Sequence, residues 1–134
     1  MLADDHAMVR EGIKMVLSGR EDLKVVGEAD DGLHLIDLVT SLSPHMAIVD
    51  LFMPGLGGIE ATEQIKILRP EVKVLILTMH RDEGFLRKAL SSGAEGYLLK
   101  DDGPAELLKA IESIQKGIPY VSSLLGEGAL KGSF

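Results

Sequence analysis

The sequence predicts an α/β domain, a doubly wound sheet of five parallel strands alternating with five helices. Two observations predict it. Short, nearly all-apolar runs alternate with segments whose apolar residues recur at helical spacing, the pattern of βαβ units covered on both faces. Each run except the second also ends in a polar residue, as strands do when their carboxyl ends line a site.

The strand candidates, in order, are Met1 to Ala3 (a short first strand), Lys24 to Ala29, Met46 to Val49, Val72 to Leu77 and Gly96 to Leu99. Between them, Val9, Ile13, Val16 and Leu17 form the first helical stripe. Leu35, Leu38, Val39 and Leu42 form the second, and Ile59, Thr62, Ile65 and Leu68 the third. Phe85, Leu86, Ala89 and Leu90 mark a fourth helix that Gly93 can close, because glycine tolerates the left-handed conformation of a helix end. Leu107, Leu108, Ile111 and Ile114 mark a fifth, with Pro104 suited to its first turn and Gly117 to its end. Ser122 to Phe134 is rich in Gly and Ser with little periodicity and reads as a tail or linker.

At 134 residues and 46% hydrophobic content, the chain has the size and apolar content of one compact domain. A formal net charge of -7 argues against a surface built to hold a nucleic-acid backbone, so no direct nucleic-acid binding is expected. The absence of cysteine excludes disulfides, thiolate metal sites and thiol nucleophiles. Met1-Leu2-Ala3 runs straight into two aspartates, unlike a secretory signal, and no apolar stretch approaches the roughly 20 residues that span a bilayer. A cytoplasmic protein with no membrane contact is expected.

The strand ends carry the chemistry. Strand one ends at Asp4 and Asp5, strand three at Asp50, strand four at Thr78 and strand five at Lys100. Carboxylates gathered at one sheet edge repel, by roughly 4 kcal/mol for a pair at about 4 Å and an effective dielectric of about 20, so a cation must compensate. Oxygen ligands without His or Cys favour a hard divalent ion, Mg²⁺ first. With it, the remaining groups fit phosphoryl transfer: Asp50 as in-line nucleophile, Asp5 on the metal, and Asp4 on it directly or through water. Lys100 would pair with one phosphoryl oxygen and the Thr78 hydroxyl would donate to another. Taken singly, a terminal Asp or Thr is more often a cap or turn former; the joint placement is what the bland reading does not predict.

These residues match a known family. Leu-Ala-Asp-Asp-His at 2 to 6, Asp-Leu-Phe-Met-Pro-Gly at 50 to 55, Leu-Thr-Met-His at 77 to 80 and Gly-Ala-Glu-Gly-Tyr-Leu-Leu-Lys at 93 to 100 resemble a two-component response regulator receiver domain. The resemblance is greatest to the NarL/FixJ/LuxR-type subfamily, in which a helix-turn-helix domain follows. It implies a flavodoxin-like sheet of order 2-1-3-4-5, a receiver over residues 1–121 and a tail or start of a linker over residues 122–134. It also implies that Asp50 is the phosphoacceptor, that Asp4, Asp5, Asp50 and the backbone carbonyl of Phe52 surround Mg²⁺, and that Thr78 and Tyr97 form a coupled switch pair. By itself Tyr97 reads as a core-edge aromatic.

The partners implied are a histidine kinase as phosphoryl donor, a DNA-binding domain of the full-length regulator, and a homodimer through the face of the fourth helix, fifth strand and fifth helix. No helix-turn-helix fits in the dozen residues after Ser122, so the expectation is a receiver separated from a longer regulator. Phe52 and His80 flank the acceptor at positions that the resemblance associates with phosphoryl lifetime. Departures from the family pattern are the short first strand, Gly57 where Asp is common, and Asp101 rather than proline after Lys100.

Two other classes use related chemistry. A small hydrolase forming an aspartyl phosphate would carry a second aspartate two positions beyond the first, where Phe52 stands. A flavin module would need a phosphate-binding loop after strand one, where Asp4-Asp5-His6 repels phosphate.

Overall fold

A computed structural model describes residues 1–125. The elements run β1 (Leu2–Ala3), α1 (Ala7–Ser18), β2 (Glu28–Ala29), α2 (Gly32–Leu42), β3 (Met46–Asp50), α3 (Gly58–Leu68) and β4 (Lys73–Thr78). They continue with α4 (Glu83–Ser91), β5 (Gly96–Leu99), a 3₁₀ turn (Lys100–Asp102), α5 (Pro104–Gln115), β6 (Tyr120–Val121) and a last 3₁₀ turn (Ser123–Leu125). All pairings are parallel and the order is β2-β1-β3-β4-β5-β6, the expected order with one strand added.

The sheet is buried on both faces, which is why its strands read as continuous apolar runs. On one face Ala47, Val49, Val74, Ile76, Tyr97 and Leu99 pack with Leu35, Val39, Ala61, Ile65, Leu86 and Ala89. On the other Leu2, Ile48, Leu75 and Leu98 pack with Ile13, Leu17, Leu107, Ile111 and Ile114. Alternate residues of each strand thus serve opposite layers. Pro104 takes the first turn of α5, and Gly93 and Gly117 close α4 and α5 with φ of 107° and 81°. No helix among the described residues is long and apolar enough to cross a membrane.

Three expectations need correction. Lys24 to Ala29 reads as a full strand, but only Glu28–Ala29 pairs as a strand, because its partner β1 is Leu2–Ala3; just before it the Gly27 carbonyl accepts from the Leu2 amide at 3.1 Å. Leu42 and Leu68 belong to apolar stripes, yet each is the last residue of its helix and is 47% and 40% exposed. The sheet has six strands rather than five: Tyr120–Val121 pairs with β5, and just beyond it the Ser122 amide donates to the Tyr97 carbonyl at 2.9 Å. Of the expected tail, residues 126–134 lie outside the described residues.

Candidate functional site

The parallel register brings the strand-end residues to one edge. Ala3 pairs with Val49, which sets Asp4 beside Asp50; Asp50 pairs with Leu77 and Thr78 with Leu99, which sets Thr78 one step and Lys100 two steps further along. Asp4 and Asp50 are buried, Asp5 is exposed, and Asp4, Asp5, His6 and Asp50 each offer an atom within 4.8 Å of the others. The Lys100 ammonium reaches over this cluster, 2.9 Å from Asp4 Oδ2 and 3.4 Å from Asp50 Oδ2. Residues from three strand ends, far apart in sequence, therefore share one pocket.

Local contacts fix each member. The Asp4 carboxylate accepts from the His6 amide at 2.8 Å, turning the chain into α1, and the Arg10 guanidinium donates to the Asp4 carbonyl and to Glu28. The loop after Asp50 folds back at once, with the Gly58 amide donating to the Leu51 carbonyl at 2.8 Å. A Cβ on Gly58 would lie 2.3 Å from the Asp50 carbonyl oxygen, so only glycine allows α3 to start this close to β3. Asp102 accepts from the Leu99 amide and the Ser122 hydroxyl, anchoring the turn that carries Lys100.

The electrostatics follow from this crowding. Burial, then the Asp4 charge, push the Asp50 carboxyl above its ordinary value despite Lys100. Burial works against the Lys100 ammonium, but hydrogen bonds and charge from Asp4 and Asp50 outweigh it and hold its pKa above the ordinary lysine value. Three carboxylates facing one lysine leave excess negative charge. Their oxygens, in the absence of any sulfur donor, suit a hard divalent cation such as Mg²⁺.

Thr78 and Tyr97 are both buried. The Thr78 hydroxyl accepts from the His80 amide at 3.1 Å, and the Tyr97 hydroxyl donates to the His80 carbonyl at 3.1 Å, so one loop joins both side chains. Burial, then Asp82, push the Tyr97 phenol up to about 12. The Phe52 side chain is half-exposed and turns to His80 and Phe85.

Against this geometry, the family model described as response regulator receiver domain matches residues 1–112. The chain belongs to the response regulator receiver family. Among the relatives of this receiver domain, the oxygen regulatory protein NreC of Staphylococcus haemolyticus is 44% identical over 126 residues, 93% of this chain and 58% of that protein. The receiver thus spans less than two thirds of the curated relative it matches. Among solved structures, a LuxR-family two-component response regulator from Aurantimonas sp. SI85-9A1 superposes with a TM-score of 0.92 at 39% identity, covering 98% of this chain and 94% of that one. The isolated REC domain of RcsB from Salmonella enterica, solved with the phosphomimetic BeF3-, superposes with a TM-score of 0.86 at 35% identity, covering 92% of each chain. This receiver is a signalling domain of two-component regulators of the LuxR type.

Sequence reasoning missed several parts of the receiver's site. His6 reads as an ordinary loop histidine, yet its Nδ1 lies 3.1 Å from both Asp4 and Asp5. Arg10 is hidden in the polar face of α1, and no local signal marks its contact with the Asp4 carbonyl. Asp102 was legible in part, since Asp-Gly-Pro ahead of a helical stripe marks a turn into a helix. Gly58 carries no signal beyond its glycine.

Proposed function

We propose that Asp50 accepts a phosphoryl group from a histidine kinase and that Lys100, Thr78 and Tyr97 convert its arrival into a change of shape. The observation that carries this reading is Lys100 Nζ lying between the Asp4 and Asp50 carboxylates, with Asp5 in the same cluster. An Asp50 oxygen attacks phosphorus, the bond from phosphorus to the donor breaks, and its electron pair leaves with the donor. Lys100 is placed to neutralise one phosphoryl oxygen, and the Thr78 hydroxyl to donate to another. Asp4, Asp5, Asp50 and the Phe52 carbonyl would hold Mg²⁺. When bound, the ion supplies charge neutralisation of the phosphoryl oxygens.

A phosphoryl group adds about -1.5 to -2 charge and three strong acceptors beside a lysine that already serves two carboxylates. Satisfying it requires Lys100 and Thr78 to re-partner, and the Thr78–His80–Tyr97 connection carries that change to β5. The chain turns over no external substrate; it catalyses only its own phosphoryl uptake and loss. Residues 1–121 form the receiver unit and residues 122–134 lead toward a DNA-binding domain of a longer cytoplasmic regulator, with any homodimer using the α4, β5 and α5 face. The 58% coverage of the NreC relative supports a longer parent.

The test is incubation with acetyl phosphate and Mg²⁺, followed by intact mass of wild type and Asp50→Asn. One phosphoryl adduct on the wild type and none on the variant is expected. An equal gain in both removes Asp50 from this role.

A further inference from the structure

Lys100 opens a 3₁₀ turn of three residues, and the last of them, Asp102, holds that turn with both carboxylate oxygens. One accepts from the Leu99 amide at 2.8 Å, fixing the backbone one residue before Lys100. The other accepts from the Ser122 hydroxyl at 2.9 Å, from 20 residues away, just beyond β6. Asp102 thus stands between the turn that carries Lys100 and the chain that has passed through α5.

Ser122 is an equally committed partner. It is 1% exposed and each of its polar groups is engaged. The amide donates to the Tyr97 carbonyl at 2.9 Å, and the carbonyl accepts from the Leu125 amide at 3.0 Å. The hydroxyl, besides donating to Asp102, accepts from the Leu124 amide at 3.2 Å. Around it, Val121 and Leu125 pack on the core of one sheet face, Tyr120 packs on the other, and the Ser123 hydroxyl donates to Glu106 of α5 at 3.0 Å. Residues 120–125 are therefore a firm support for Asp102. The Lys100 ammonium reaches Asp4 and Asp50 on a long flexible stem, whose tip is only as well placed as the backbone at its root.

We propose that Asp102 and Ser122 are positioning residues for phosphoryl uptake, setting the root of Lys100 through the Leu99 amide, so that β6 and the residue after it belong to the acceptor machinery. This rests on the reading of Asp50 as the phosphoacceptor and Lys100 as its counter-charge. During transfer an Asp50 oxygen bonds to phosphorus while the bond from phosphorus to the donor oxygen breaks, and that electron pair leaves with the donor. Lys100 must meet a phosphoryl oxygen as this happens, and a turn released from Asp102 presents it less accurately. A segment beyond α5 thereby sets how fast the domain is phosphorylated: undocking it slows uptake without touching the carboxylates.

The purified chain is treated with acetyl phosphate and Mg²⁺, and uptake is timed by intact mass. Ser122→Ala, which removes a single oxygen, and Asp102→Ala are each expected to take up the group about three- to tenfold more slowly, the rate equivalent of roughly one hydrogen bond. Asp102→Asn is expected to stay within about twofold of wild type, because its amide oxygen can still accept from Leu99 and its amide nitrogen can donate to the Ser122 hydroxyl oxygen. The double alanine variant is expected to be no slower than the slower single one, since both cut the same link. A second readout needs no phosphoryl group: trace acylation of lysines by acetic anhydride, resolved by peptide mass. The Lys100 side chain, 14% exposed, should react about threefold faster or more, relative to exposed Lys24, in both alanine variants and not in Asp102→Asn.

Uptake at the wild-type rate in Ser122→Ala overturns the proposal, and so do slowed variants whose Lys100 is no more reactive than in wild type. An Asp102→Asn variant as slow as Asp102→Ala also overturns it, by assigning the effect to charge. No uptake by the wild type overturns the reading of Asp50 and the uptake role with it, an outcome that intact mass tells apart from slowing in the variants alone.

Discussion

Replacing Asp50 with asparagine should stabilise the fold, and the geometry says by how much. Asp4 and Asp5 offer atoms within 4.8 Å of Asp50, where a like-charge pair costs about 3.5 kcal/mol at an effective dielectric of about 20. Asp5 is partly exposed, and halving its share for solvent screening leaves about 5 kcal/mol of repulsion. Lys100, at 3.4 Å, returns about 5 kcal/mol by the same rule. The charge terms cancel, so burial of the carboxylate decides the sign, consistent with desolvation being the largest cause of the raised Asp50 pKa. Asparagine keeps an acceptor for Lys100 without the buried charge, a gain of about 1–2 kcal/mol and about 4–8 °C in Tm.

The pH dependence has a definite sign. A folded-state pKa above the ordinary 3.8 means the folded chain holds this proton more tightly than the unfolded chain does. Stability is therefore lost as pH rises through the folded value, and the advantage of asparagine is full at neutral pH and shrinks as pH falls toward 3.8. Millimolar Mg²⁺ should narrow the gap further by neutralising the wild-type cluster. Thermal unfolding followed by circular dichroism across this pH range is the assay. An Asp50→Asn variant less stable than wild type at neutral pH, or an advantage that ignores pH, refutes the reasoning.

Gly58→Ala should cost about 2 kcal/mol or more, read as a lower urea midpoint, because the new Cβ meets the Asp50 carbonyl oxygen at 2.3 Å and the Leu51 Cα at 3.0 Å, both backbone atoms. The same displacement should reduce acetyl phosphate labelling. Burial pushes both tyrosines up to about 12, helped by Asp82 at Tyr97 and by the Glu106 hydrogen bond at Tyr120. Since raised phenol values favour the protonated folded form, their contribution is intact below the ordinary 10.0 and is lost as pH rises toward 12. Phenolate absorbance should therefore rise only well above pH 10.0, toward about 12.

What the sequence discloses depends on whether a feature is local. β3, β4 and β5 were legible because strands buried on both faces must be apolar throughout, and the gathering of polar residues at one sheet edge because parallel strands end together. Strand pairing is not local, however. Lys24 to Val26 has the composition of a strand and lacks only a partner, since β1 begins at Leu2. β6 has two residues, too few for any period, and it exists because the Tyr97 carbonyl and the Ser122 amide meet. Phe85 read correctly as part of an apolar stripe, and half-buried it packs on the core. Its second contact, with the Phe52 and His80 rings, is not local, since those rings stand on the loops after β3 and β4.

The docking of β6 also decides where the molecule can be observed. Ser122 is held by Tyr97 through its amide and by Asp102 through its hydroxyl, and the neighbouring Ser123 side chain is exposed. The chain contains no cysteine, so a thiol introduced at Ser123 would be its sole attachment point for a fluorophore or spin label. Such a reporter would ride one residue from a bond to the Tyr97 backbone, away from the carboxylate cluster of Asp4, Asp5 and Asp50.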